Sequence, residues 1–230
     1  MQNHLKRLSA PRSWKIDRAT NVYIMKPMPG AHSLERGLPL GLLLRDHLKI
    51  ASTLKEVKMI LVQGEVLVDG KKVTQAHYNT GLFDVLSLPK INKNYRLLLD
   101  KKGILFLKEI PAAENAIKLC KIVGKTALKA GKIQFHFHDG KNILVGKEGQ
   151  EAKVGDTFLL TLPELKIKEV LSLKAGALVF LTQGKQMGEL GNFQEFKGRE
   201  AKYTFNQEER ETARDYLFVV GEKKALHTVN

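Results

Sequence analysis

The chain has 230 residues, 43% of them hydrophobic, and a formal charge of +14 from 38 Lys and Arg against 24 Asp and Glu. That apolar content is too high for a chain that stays unfolded in water, and the charge sets up a self-repelling field that an anionic partner relieves, which puts nucleic acid first among partner classes. Cys120 is the single cysteine, which excludes an internal disulfide and a thiolate cluster for zinc or iron and sulfur.

Residues 1–37 carry His4, Lys6, Arg7, Arg12, Lys15, Arg18, Lys26 and Arg36, with Asp17 and Glu35 as their only acids. Pro11, Pro27, Pro29 and Gly30 interrupt any long helix. The segment reads as a basic extension without a core of its own, which folds when RNA neutralises it. Trp14 in such an arm suits stacking on a base, a sugar or a neighbouring module. The first twelve residues lack the apolar core of a secretory signal. The best apolar run, 38–44, meets Arg45 and Asp46 before it is long enough to cross a bilayer. The expectation is a cytosolic chain with no membrane contact.

Pro39 opens an apolar helix over 40–48, since proline is tolerated in a first turn. Ser52 or Thr53 then caps a second helix, with Glu56 near its third position and Leu54, Val57, Ile60 and Leu61 on one face. Residues 63–73 read as a strand, an Asp69-Gly70 turn and a returning strand. Further strands are expected at 84–88, 95–99 and 103–108. A single amphipathic helix is expected over 111–119. Strand signals then dominate at 121–128, 132–137, 142–145 and 157–162, which implies a barrel-like module and not a nucleotide-binding parallel sheet. A last all-strand unit is expected from Lys174, with strands at 177–182, 187–195, 202–205, 216–220 and 226–229. Glu208, Glu209 and Glu211 lie between its strands as a patch facing solvent or a basic protein neighbour.

The residue chemistry points to binding without catalysis. Arg45 can hold a phosphate with two parallel hydrogen bonds, or else pair with Asp46 or Glu56. Lys49, Lys55, Lys58, Lys71 and Lys72 suit phosphate contacts that fix position and do not read base identity. Asp69-Gly70 is a turn former that fixes Lys71 and Lys72 at a hairpin tip. His136 and His138 would share one face of a strand, which is too few donors for zinc when the lone cysteine is not nearby in sequence. The expectation is therefore no metal and no cofactor, with Lys141 and Asn142 presented to RNA. No phosphate-binding glycine loop, zinc helix or nucleophile elbow is present, so no enzyme activity and no small-molecule substrate are expected.

Three groups of residues resemble the archaeal and eukaryotic-type small-subunit ribosomal protein number four, the S-four-e family. They are His4-Leu5-Lys6-Arg7-Leu8-Ser9-Ala10-Pro11 with Trp14, Pro27-Met28-Pro29-Gly30-Ala31-His32 and Leu38-Pro39-Leu40; Leu44-Arg45-Asp46-His47-Leu48 through Val66-Leu67-Val68-Asp69-Gly70-Lys71; and Leu119-Cys120-Lys121 with His138-Asp139-Gly140-Lys141-Asn142 and Gly155-Asp156-Thr157. The short length resembles the archaeal members. The resemblance implies an α+β multidomain chain with an rRNA-binding extension at 1–37, an "S-four"-type two-helix and hairpin-sheet RNA-binding domain at 38–100, a central family-specific β domain at 101–172, and an SH3-like small β barrel at 173–230. In that barrel Gly176 to Phe193 resembles a KOW-type motif, diverging at Gln183 and Phe193. The implied partners are small-subunit ribosomal RNA and neighbouring ribosomal proteins. Lys6, Arg7, Arg12, Trp14, Lys15, Arg18, Arg36, Arg45, Lys49, Lys55, Lys58, Lys71, Lys72 and Lys141 are the expected RNA-binding residues. A free RNA-binding regulator or translation or assembly factor is the alternative.

Overall fold

The computed structural model describes residues 4–145, 151–206, 208–222, 225, 226 and 228. The chain divides into two compact units, Met1–Ala116 and Ile117–Asn230. Among the described residues no helix is long and apolar enough to cross a membrane.

The first unit opens on a short antiparallel ribbon of β1 (Leu5–Lys6) and β2 (Tyr23–Ile24). β3 (Gly37–Pro39) leads into α1 (Leu40–Leu42), which widens into a π-helical turn over Leu43–His47. Pro39 is the extended residue before the helix, so its fixed φ sets the entry and α1 begins one residue later. α2 (Leu54–Val62) is fixed at its start by Thr53, whose Oγ1 accepts the Glu56 amide at 3.3 Å, while the Glu56 carboxylate accepts the Ser52 amide at 2.8 Å. It ends at Gln63, followed by Gly64 at φ 71°, a left-handed position that glycine adopts without penalty.

β4 (Leu67–Val68) and β5 (Lys71–Lys72) form the expected hairpin, with Asp69 (φ 51°) and Gly70 (φ 75°) as its turn. Asp69 does more than bend the chain locally. Its Oδ1 accepts the Val85 amide at 3.0 Å, which ties the hairpin to the neighbouring strand. β6 (Asn79–Gly81) pairs with β3, and β7 (Val85–Leu88), β8 (Lys93–Leu99) and β9 (Leu105–Ile110) complete a five-stranded sheet in the order β5-β4-β7-β8-β9. Val57 and Leu61 from α2 pack with Leu40, Leu44, Val66, Val68 and Leu86 into one core. Burying a side chain such as Leu61 stabilises by about 1.5–3 kcal/mol.

The arm of residues 4–37 differs from the expectation, since it is folded within this unit. Ala10, Trp14 and Ile24 are buried, the Leu105 amide donates to the Ser13 carbonyl at 2.8 Å, and the Met28 amide donates to the His77 carbonyl at 2.8 Å. These apolar groups and backbone bonds give the arm a share in a larger core, a packing that its many cations concealed.

The second unit begins with β10 (Ile117–Ala127), where the expected helix over 111–119 is overturned. Only a 3-10 turn forms, over Ala112–Glu114. Glu114 is held there by the buried guanidinium of Arg96, which donates to its carboxylate at 2.7 Å and its carbonyl at 3.1 Å. The chain then enters a sheet, whose pairing outweighs weak helix propensity.

β10 pairs through its first half with β13 (Thr157–Thr161) and through its second half with β11 (Ile133–Phe137), switching at an irregularity between Ile122 and Gly124. With β12 (Asn142–Val145) and β14 (Lys166–Leu171) the order is β12-β11-β10-β13-β14, around Cys120, Ile122, Phe135, Phe137, Phe158 and Leu160. β14 was not among the expected strands. A second five-stranded sheet holds β15 (Leu178–Leu181), β16 (Leu190–Lys197), β17 (Glu200–Phe205), β18 (Glu208–Ala213) and β19 (Leu217–Gly221) in the order β18-β17-β16-β15-β19. The acidic residues 208, 209 and 211 therefore sit within strand β18 and not in a connection. Of the strand expected at 226–229, Leu226 lies in a bend, and His227 and Val229 fall outside the described residues.

Candidate nucleic-acid interface

The cations of the arm fall into two classes. Arg7 is buried, donating from Nε to the Asp17 carbonyl and lying 3.9 Å from the Asp46 carboxylate. Arg18 donates to the carbonyls of Ala10 and Pro11, both at 2.9 Å. Both guanidiniums thus close loops of their own chain, since a buried carbonyl needs a donor. Trp14 is only 2% exposed and donates from Nε1 to the Gly37 carbonyl at 2.8 Å, so it packs on its own unit and offers no face to a base. Lys6, Arg12, Lys15 and Arg36 are exposed.

The π-helical turn gathers the next group. Arg45 holds Asp46 through two hydrogen bonds, Nε to Oδ1 at 2.5 Å and Nη2 to Oδ2 at 3.0 Å, and this bonding raises its already high pKa. His47 beside it is held below the ordinary histidine range, chiefly by burial, with Lys15 adding repulsion against the attraction of Asp46. That coupling places Lys15 of the arm near the turn. Lys49 follows, exposed, at φ 55°.

On α2, Lys55 and Lys58 are three residues apart and both exposed, hence neighbours on the helix surface. Beyond them Met59 (55%) and Val62 (75%) face solvent. Sequence reasoning did not single out these two apolar groups, although the same helical spacing that turns Val57 and Leu61 inward turns them outward. At the hairpin Lys71 and Lys72 are exposed, and the stem of Lys72 passes close to Gly64 at the end of α2. Residues 1–116 contain 19 Lys and Arg against 10 Asp and Glu. Exposed ammonium groups on a fixed backbone, with that excess, suit the spaced phosphates of a folded polyanion.

Lys141 belongs to a different arrangement. Asp139 is buried, with Lys118 Nζ at 2.9 Å and Lys141 Nζ at 3.1 Å from its Oδ2. Burial alone would raise this carboxyl, but the charges of Lys118, His138 and Lys141 outweigh it and hold the group far below the usual carboxylate range. Cys120, distant in sequence, also reaches this cluster, so Cys120, His138 and Asp139 bring three donor types within 4.8 Å. The carboxylate is already neutralised by ammonium groups that would repel a divalent ion, and His138 Nδ1 accepts the Lys121 amide at 3.3 Å. His136 goes elsewhere, bonded to Thr126 at 2.9 Å and Asn142 at 2.7 Å.

In the last sheet the cations are matched by acids. Lys202 pairs with Glu195 at 2.9 Å, Lys197 with Glu211 at 3.6 Å, and Arg210 with Glu189 at 3.1 Å and Glu208 at 2.9 Å. Residues 174–222 carry seven basic and eight acidic side chains. The positive charge of the chain is therefore concentrated elsewhere.

Family models described as Ribosomal family S4e, RS4NT (NUC023) domain and S4 domain match residues 91–167, 1–35 and 43–86. The chain is 43% identical over 225 residues to the small ribosomal subunit protein eS4 of Methanocella arvoryzae, covering 95% of this chain and 94% of the relative. It is 41% identical to the protein of the same name from Archaeoglobus fulgidus, covering 96% and 94%. The crystal structure of the 30S ribosomal protein S4e from Thermoplasma acidophilum superposes with a TM-score of 0.71 at 26% identity, covering 81% of this chain and 96% of that one.

Proposed function

The chain belongs to the ribosomal family S4e, and from that membership we propose that it is a structural, non-enzymatic constituent of the small ribosomal subunit that binds and stabilises ribosomal RNA. The observation that carries the reading is the set of exposed cations in the first unit, Lys15, Lys49, Lys55, Lys58, Lys71 and Lys72, held on folded backbone. Arg7, Trp14 and Arg18 serve the same end indirectly, by holding the folded arm from which Lys6, Arg12, Lys15 and Arg36 are exposed. Arg45 positions the turn through Asp46. Lys141 contributes its charge near the β11–β12 turn.

The finer layout is part of the same proposal. The two-helix and hairpin region acts as an "S-four"-type RNA-binding module, and the sheet of β10 to β14, within the expected 101–172, acts as a central β module. β15 to β19 act as an SH3-like small barrel with a divergent KOW-type segment between Gly176 and Phe193. Because residues 174–222 have no excess of positive charge, that last module meets neighbouring ribosomal protein more than RNA backbone.

Binding of the full chain to small-subunit ribosomal RNA transcribed in vitro tests the reading. The logarithm of affinity should fall with the logarithm of salt by roughly 0.7 per neutralised phosphate on single strands and about 0.9 on duplex. Sedimentation with small subunits through high salt separates a constituent from a factor that washes off. Salt-indifferent affinity, or loss from the particles, sinks the reading.

A further inference from the structure

We propose that the outward face of the β1–β2 ribbon is a nucleobase-stacking site for an unpaired stretch of RNA, with Tyr23 and His4 as the stacking rings and Lys6 as the phosphate contact. The proposal rests on the RNA-binding reading above and adds a site to it. Lys6 lies directly opposite Tyr23 in the ribbon, so both side chains leave the same face. His4 precedes Lys6 by two residues, and its ring centroid is 5.3 Å from that of Tyr23, at 47° between planes. The other face is spent on the core, where Ile24 is buried.

Tyr23 is 56% exposed, and Val22 next to it in sequence is 68% exposed. Large apolar groups gathered in solvent mark a contact surface more often than scattered ones do. The charge around them selects the occupant. Residues 4–37 hold seven Lys and Arg against two acids, so an apolar protein segment would have to desolvate ammonium groups without a counter-charge. An RNA strand answers both features, since its bases offer π faces to the rings and its phosphates offer charge to Lys6. Bases inside a duplex have their faces occupied by neighbours, so the strand must be unpaired there.

Four substitutions, one of them a fluorescence reporter, test the site with the full chain and in-vitro-transcribed small-subunit ribosomal RNA. Tyr23→Ala should weaken binding on the order of tenfold with the salt slope unchanged, and Tyr23→Phe should bind like wild type, because stacking uses the ring and not the hydroxyl. Lys6→Ala should instead lower the slope magnitude by roughly 0.7. Tyr23→Trp should add an emission that RNA quenches, while that of buried Trp14 stays constant. If Tyr23→Ala binds as tightly as wild type, or the new emission ignores RNA, while wild type keeps its steep salt dependence, the stacking site is overturned and the RNA reading stands. If wild type itself ignores RNA, both fall.

Discussion

Lys49 occupies a left-handed backbone position, φ 55°, where a side chain costs about 1 kcal/mol more than glycine does. The position closes the π-helical turn, after the Leu48 amide has bonded to the Leu43 carbonyl at 2.9 Å. Keeping a lysine there holds a cation at a fixed point beside the turn. Lys49→Gly should therefore raise stability by about 1 kcal/mol in urea unfolding while lowering the salt slope of RNA binding by roughly 0.7–0.9. A loss of stability would show that the side chain makes packing contacts that matter more than its strain. Arg45 illustrates the reverse case. Its guanidinium is committed to Asp46, so reversing it to glutamate would set two carboxylates side by side and confuse a binding defect with a folding one.

At the scale of elements, α2 offers the cleaner charge probe. Lys55 and Lys58 face solvent on a helix whose cap, at Thr53 and Glu56, does not involve them. Lys55→Glu with Lys58→Glu should leave circular dichroism intact and lower the salt slope by roughly 1.4–1.8, the equivalent of two phosphates. Unchanged binding would move the RNA face off this helix. The β10–β12 region carries a different dependence. Asp139, depressed by Lys118, His138 and Lys141, contributes stability that is complete above the unfolded carboxyl value of about 3.9. The contribution declines as the pH falls below that value and is gone once the folded-state carboxyl is protonated. Asp139→Asn leaves Lys118 buried without its counter-charge and should cost about 3–5 kcal/mol near neutrality. Chemical denaturation at stepped pH should show the gap between variant and wild type narrowing steadily as the pH falls below about 5. A constant gap would mean that hydrogen-bond geometry, not charge, holds this cluster.

For the whole molecule the charge is uneven, and that unevenness predicts a division of partners. Nucleotide-resolution crosslinking on intact small subunits should place RNA links within residues 4–116, and peptide links within residues 174–222. RNA links concentrated on β16 to β18 would reverse the assignment. Composition alone indicated the polyanion partner, because net charge is a sum that folding does not alter. Local chemistry also fixed α2 with its capping box and the Asp69-Gly70 hairpin, since each depends on residues within a few positions of one another. The ordered motifs pointed to the family for the same reason: they are read along the chain. Tertiary structure decided the rest. It turned Arg7, Trp14 and Arg18 inward, because their partners at Asp17, Gly37 and Ala10 are set by a fold of the arm that the abundance of cations hid. It made 117–119 a strand, because pairing with 159–161 outweighs local helix propensity. It brought Cys120 to Asp139 and Glu211 of β18 to Lys197 of β16, because sheet register, which sequence spacing does not contain, determines which distant side chains meet.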